Sequence, residues 1–139
     1  MIAPMSTDAD LVRAANESFY SAFRARDPDA MDRLWARSAS VTCIHPGWSA
    51  LHGRAPVIES LRRILRNPSS PSIACSDVAV SLYGDSALVI CREGVVGQPA
   101  VLVATNVFVR EDSSWRMVHH QAGPTAPAAP PPAPDRSLN

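Results

Sequence analysis

Four histidines, three cysteines and one amide inside an apolar run are the residues of this 139-residue chain best suited to chemistry. His45 closes the stretch VTCIHPGW, Val41–Trp48, where strand character gives way to a Pro-Gly turn. Cys43 and His45 are two apart and share a strand face, which suggests a thiolate–imidazole pair. Same-face neighbours on a regular strand stand ~7 Å apart, however, so Cys43 reads as a core thiol. His119 and His120 are adjacent, so a strand would turn them to opposite faces and they could not share one ion. With no HExxH and no carboxylate at ligand spacing, no metal site is expected. His45 and one of His119 or His120, with His120 taken first, are the candidates for moving a proton in a dry pocket. The carboxylates Asp77, Glu93, Glu111 and Asp112 fall at strand ends or turns and are expected to be solvated.

Two further residues stand out against apolar surroundings. Asn106 lies in VLVATNVFV, where a buried amide needs partners for its donors and acceptor. It either bonds a structural partner or faces a cavity. Arg92 closes the run ALVIC and is placed to pair with an acid or bind an anionic ligand. Two other chemistries have no footing. There is no GxSxG nucleophile elbow, and all 13 basic residues are arginine, so a lysine Schiff base is excluded.

The elements that must position these residues follow from periodicity. Thr7–Arg26 reads as a helix, with Thr7 and Asp10 as a capping box and Leu11, Ala15, Phe19 and Phe23 as an apolar stripe beside Tyr20. Asp27-Pro28 stops it and starts a second helix with Met31, Leu34 and Trp35 on its buried face. Val41–Ile44 is a strand. A third helix carries Pro56 near its start and Val57, Ile58, Leu61, Ile64 and Leu65 inward; Asn67-Pro68 ends it. From Ser72 the period becomes two: a strand to the Gly84-Asp85 turn, then Ser86–Glu93, Ala100–Arg110 and Trp115–Gln121. Helices followed by an antiparallel meander define an α+β fold with the helices on one face of the sheet. The long strands are apolar on both faces, and the second face predicts a homodimer packed sheet to sheet.

Bulk properties agree with one domain, expected at residues 7–123 between an N-terminal extension, 1–6, and a Pro/Ala-rich tail, 124–139, expected to be disordered. Net charge is zero, with 13 basic and 13 acidic residues, which argues against a nucleic-acid partner. No stretch reaches transmembrane length, the start carries no signal-peptide pattern, and three scattered cysteines without CxxC read as free thiols in the cytoplasm.

The segments NESFYSAFRARDPDAMDRLW, VTCIHPGW, GRAPVIESLRRIL and ATNVFVREDSSWRMVHHQAG, in this order, resemble SnoaL-like members of the nuclear-transport-factor-2-like superfamily, also called ketosteroid-isomerase-like proteins. The resemblance covers Asp8–Gly123. It implies a cone of three helices on a curved mixed sheet around an apolar pocket, with dimers formed through the sheet's outer face. It implies activities from isomerisation, cyclisation, dehydration and hydrolysis to binding or scaffolding alone; no cofactor is expected. Isomerases of the family keep an aspartate base before a proline at the end of the first strand; the matching residues here are His45-Pro46. Their oxyanion hole, a tyrosine with a protonated aspartic acid, falls near Phe19 or Tyr20 and near Thr105 or Asn106, so both family carboxylates are absent. The expectation is a pocket for a small, largely apolar molecule, lined by Tyr20, Trp35, Trp48 and Asn106, with Arg92 a further ligand contact. His45 or His120 would supply any proton transfer, and a dimeric scaffold without ligand is the remaining reading.

Overall fold

The computed structural model describes residues 5–127. Helix α1 spans Asp8–Ala25, α2 Pro28–Leu34 and α3 Arg54–Arg66. The strands are β1 Thr42–Ile44, β2 Leu51–His52, β3 Ile73–Tyr83, β4 Ser86–Val95, β5 Leu102–Glu111 and β6 Ser114–Pro124. They form one six-stranded sheet in the order β2-β1-β6-β5-β4-β3, with β1 and β6 parallel and every other pair antiparallel. The sheet is open, and the helices pack on one face of it. This is the α+β architecture expected, with β2 as a short addition that the sequence reading did not contain.

Local chemistry sets the helix boundaries. Thr7 accepts from the Asp10 amide while Asp10 accepts from the Thr7 amide, a reciprocal cap. Arg26 then closes α1 in the left-handed region. Asp27 caps α2 through the Ala30 amide at 3.0 Å, with Pro28 as first helical residue. Asn67 adopts extended backbone before Pro68 and ends α3.

The buried stripe of α1 differs from the expectation by one step. Val12, Asn16, Phe19 and Tyr20 face the sheet, whereas Leu11 is 46% exposed. An i, i+4 row drifts around a helix of 3.6 residues per turn, so Leu11 and Phe23 cannot both sit at its centre. The drift carries a polar residue, Asn16, into the core.

Two bulges reset which side chains face the helices. In β3, Asp77 adopts a φ of 53° where Asp77 and Val78 together oppose the single β4 residue Cys91. In β6, Met117 pairs with Phe108 and His119 with Val107, so Val118 is the extra residue. Met117 is buried inward, and after the extra residue His120, not His119, takes the inner face. His119 turns outward, where its Nδ1 lies 2.6 Å from Thr42 Oγ1.

The core between helices and sheet includes Phe19, Tyr20, Met31, Trp35, Leu61, Val89, Phe108 and Met117. The opposite, outer face keeps apolar side chains in the open: Ile90, Val101 and Val103 are 37%, 51% and 37% exposed. β6 runs on to Pro124, and the Thr125 amide bonds the Val101 carbonyl at 2.9 Å, so the first residues of the expected tail continue along the sheet. Residues 128–139 of that tail lie outside the described residues.

Candidate functional site

A cavity of about 330 Å³ opens between the helices and the inner face of the sheet. Its walls are mainly apolar, from Phe19 and Phe23 of α1, Ile64 of α3, Ile73 of β3, Val95 of β4 and Leu102 of β5. Trp48, 49% exposed, stands at the rim with Pro46 and packs edge-on against His45, ring centroids 4.7 Å apart. Three polar side chains line it: His45, Glu93 and His120.

Glu93 was expected to be solvated; it is buried, with 4% exposure. It continues the inward parity of Ala87, Val89 and Cys91 along β4, and that parity was the signal available in the sequence. The strand runs two residues further than expected, to Val95, so Glu93 is a strand residue and not its frayed end. Tyr20 donates its hydroxyl hydrogen to Glu93 Oε2 at 2.6 Å. Burial pushes the Glu93 carboxyl above the usual carboxylate range, against a smaller pull from Tyr20 in the other direction. Burial beside Glu93 also drives the Tyr20 phenol far above its ordinary value, so it stays a donor.

His120 lies with Nε2 at 3.7 Å from Glu93 Oε2. Its Nδ1 meets Asn106 Oδ1 at 2.6 Å, and the ring packs against Phe19 at 4.7 Å. Asn106, fully buried, spends its amide hydrogens on Asn16 Oδ1 at 2.8 Å and Tyr20 Oη at 3.2 Å. Its oxygen is therefore the acceptor toward His120, which fixes the Nδ1–H tautomer and leaves the Nε2 lone pair toward Glu93. Burial, reinforced by the neighbouring histidines 45 and 119, lowers His120 to about 3, so the ring is neutral.

His45 ends β1, and its Nε2 lies 2.9 Å from Ser60 Oγ on α3. Ser60 donates its own hydrogen to the Val57 carbonyl at 2.7 Å, so His45 must be the Nε2–H tautomer. Burial lowers His45 to about 4. The chain turns directly after Ile44, and that bend brings Cys43 Sγ within 3.8 and 3.9 Å of the two ring nitrogens, closer than a regular strand would allow. The contact makes no reactive pair, because burial pushes the Cys43 thiol up to about 12.

The other expected residues divide by depth. Tyr20 and Asn106 stand behind the cavity wall, where they hold Glu93 and His120. Trp35 is sealed in the core at 0% exposure as the residue that ends α2, and does not line the cavity. Arg92 alternates with Glu93 and so points to the outer face, bonding the Ala100 and Ala126 carbonyls. A ligand in the cavity would touch neither. Asn16 and Ser60 were absent from the sequence reading; each is one polar residue on an otherwise apolar helix face, and that is a signal. Among the described residues no cluster of three or more His, Cys, Asp or Glu is placed to hold a metal ion, and no helix is long and apolar enough to cross a membrane.

The architecture and the buried polar trio define a helix-covered sheet with a small-molecule-sized cavity. The sequence matches the SnoaL-like domain family over residues 12–127, and the chain belongs to that family. Solved structures agree. A protein provisionally assigned as a dehydratase of the NTF2-like family, from Streptomyces avermitilis, superposes with a TM-score of 0.74 at 36% identity, covering 86% of this chain and 96% of that one. A protein provisionally assigned as a calcium/calmodulin-dependent protein kinase type II association domain, from Thiobacillus denitrificans, gives 0.72 at 36% identity over 82% and 94%. One provisionally assigned as a ketosteroid isomerase, from Parabacteroides distasonis, gives 0.68 at 13% identity over 86% and 89%, a likeness of fold alone. Among curated proteins, the F-box protein SKIP8 of Arabidopsis thaliana is 28% identical over 109 residues, 78% of this chain. The chain spans about half the length of that relative, 47%.

Proposed function

We propose that this domain binds a small, largely apolar molecule with one polar end and moves a proton on it. The observation that carries the reading is the juxtaposition of Glu93 and His120, 3.7 Å apart and buried at the polar end of an apolar cavity. A carboxyl raised by burial is a stronger base than a solvated one once ionised, and works nearer neutral pH. Glu93 is the general base. Tyr20 occupies Oε2, leaving Oε1 without a protein donor among the described residues and free to take a proton from carbon. The neutral His120 ring stands beside it, and the proton returns to the ligand from Glu93 itself. The family's own carboxylate positions are empty here, and a carboxylate from β4 takes the part. The dehydratase assignment of the Streptomyces avermitilis relative supports this class of chemistry.

The test uses 2-hydroxyacetophenone, an apolar ring with an acidic C–H beside its carbonyl. In D2O the protein should accelerate deuterium entry at that carbon. Glu93→Gln should lower the rate by about 100-fold or more, the usual worth of a positioned base. No acceleration over buffer, or an undiminished rate in the variant, contradicts the reading.

A second reading concerns assembly. The outer sheet face, with Ile90, Val101 and Val103 uncovered, is proposed to pair with a second copy of the chain. The association-domain assignment of the Thiobacillus denitrificans relative supports it.

A further inference from the structure

The polar end of the cavity offers lone pairs and almost no hydrogens. His120 carries its hydrogen on Nδ1, spent on Asn106, and presents Nε2 bare. His45 carries its hydrogen on Nε2, spent on Ser60, and leaves Nδ1 bare, with the weak S–H of Cys43 at 3.9 Å as its nearest protein partner. The two imidazoles are thus locked in opposite tautomers, each from outside the cavity, with the same result. The Tyr20 hydrogen is spent on Glu93 Oε2, and the Asn106 amide hydrogens on Asn16 and Tyr20. None of the lining residues is an arginine. Trp48 has the remaining lining N–H apart from the histidines, and it belongs to the half-exposed rim ring. Glu93 gains a donor only when it is protonated.

We infer that the cavity selects a ligand whose polar head donates hydrogen bonds, an alcohol on a small apolar body, and rejects anionic heads. An alcohol supplies a hydrogen to one of the His45 and His120 lone pairs, as the hydroxyl of 2-hydroxyacetophenone does, whereas a plain ketone brings only one more acceptor into a site already full of them. A carboxylate would enter a desolvated end with no lining cation to offset its charge. The inference rests on the proposed ligand cavity and names the chemistry of its occupant.

The experiment compares three probes of one size: cyclohexylmethanol, cyclohexyl methyl ketone and cyclohexanecarboxylate. Each is titrated at pH 8 into the full chain and followed by NMR shifts of Phe19, Val95 and Leu102. The alcohol should bind about tenfold more tightly than the ketone, the worth of roughly one net hydrogen bond. The carboxylate should not saturate. Long-range 1H–15N spectra of the free protein should show His120 as the Nδ1–H and His45 as the Nε2–H tautomer. A ketone or carboxylate that binds as well as the alcohol overturns the inference and leaves the cavity reading intact. Reversed tautomers also overturn it. If none of the three shifts the cavity residues, the ligand cavity and the inference fall together.

Discussion

Glu93 and the two buried histidines set opposite demands on pH. The histidines are held neutral in the folded state, down to about 4 for His45 and about 3 for His120, and take protons near 6.5 when the chain unfolds. Above about pH 6.5 both rings are neutral folded or unfolded; below it the unfolded chain takes up protons first, and stability is lost progressively toward the folded values of about 4 and 3. The size is on the order of several kcal/mol for the pair. Glu93 acts in the other sense: its raised value favours folding at acid pH, and that contribution is lost as the pH rises through its folded value. Denaturant unfolding should show the histidine contribution as stability falling from about pH 6.5 toward pH 3, with a shallower slope in His120→Gln. A slope unchanged by the variant would mean that His120 is not held neutral. This layer was only half legible in the sequence. Asn106 announced itself as a polar residue among valines, and His45 as the residue before the proline. Glu93 did not, because it sits beside a turn, where carboxylates are usually solvated; only its parity with Val89 and Cys91 marked it as inward.

At the scale of elements, the caps were the most legible features and the bulges the least. Thr7, Asp10, Asp27 and Pro28 act through bonds within a few residues, so their roles follow from local order. Replacing Asp27 by Ala should cost about 1 kcal/mol, measured by chemical denaturation, because the Ala30 amide loses its partner. A bulge depends on the neighbouring strand. Strict alternation from Met117 would have put His119 inside and His120 outside; the extra residue Val118 reverses both. The sequence therefore named the pair of histidines and not the inward one. The same limit explains Cys43 and His45, whose approach depends on the bend after Ile44.

For the whole molecule, the order of helices and strands was enough to give the α+β class, because helix and strand periods differ along the chain. The parallel pairing of β1 with β6 joins distant segments and left no local mark. The two-faced apolar character of β4 and β5 was legible, and it is the basis of the proposed sheet-to-sheet pair. Sedimentation at micromolar concentration should give a dimer, and Val103→Asp, at an outer position 37% exposed, should give a folded monomer. A wild-type monomer would leave the outer face without that role.

A buried carboxyl on β4, held by Tyr20 and set beside His120, is the group proposed to move a proton. The most direct measurement is the titration of the Glu93 carboxyl carbon by 13C NMR, assigned by comparison with Glu93→Gln. The midpoint should lie clearly above the ordinary 4.5. A midpoint at or below 4.5 would mean a carboxylate in contact with water and not a buried base.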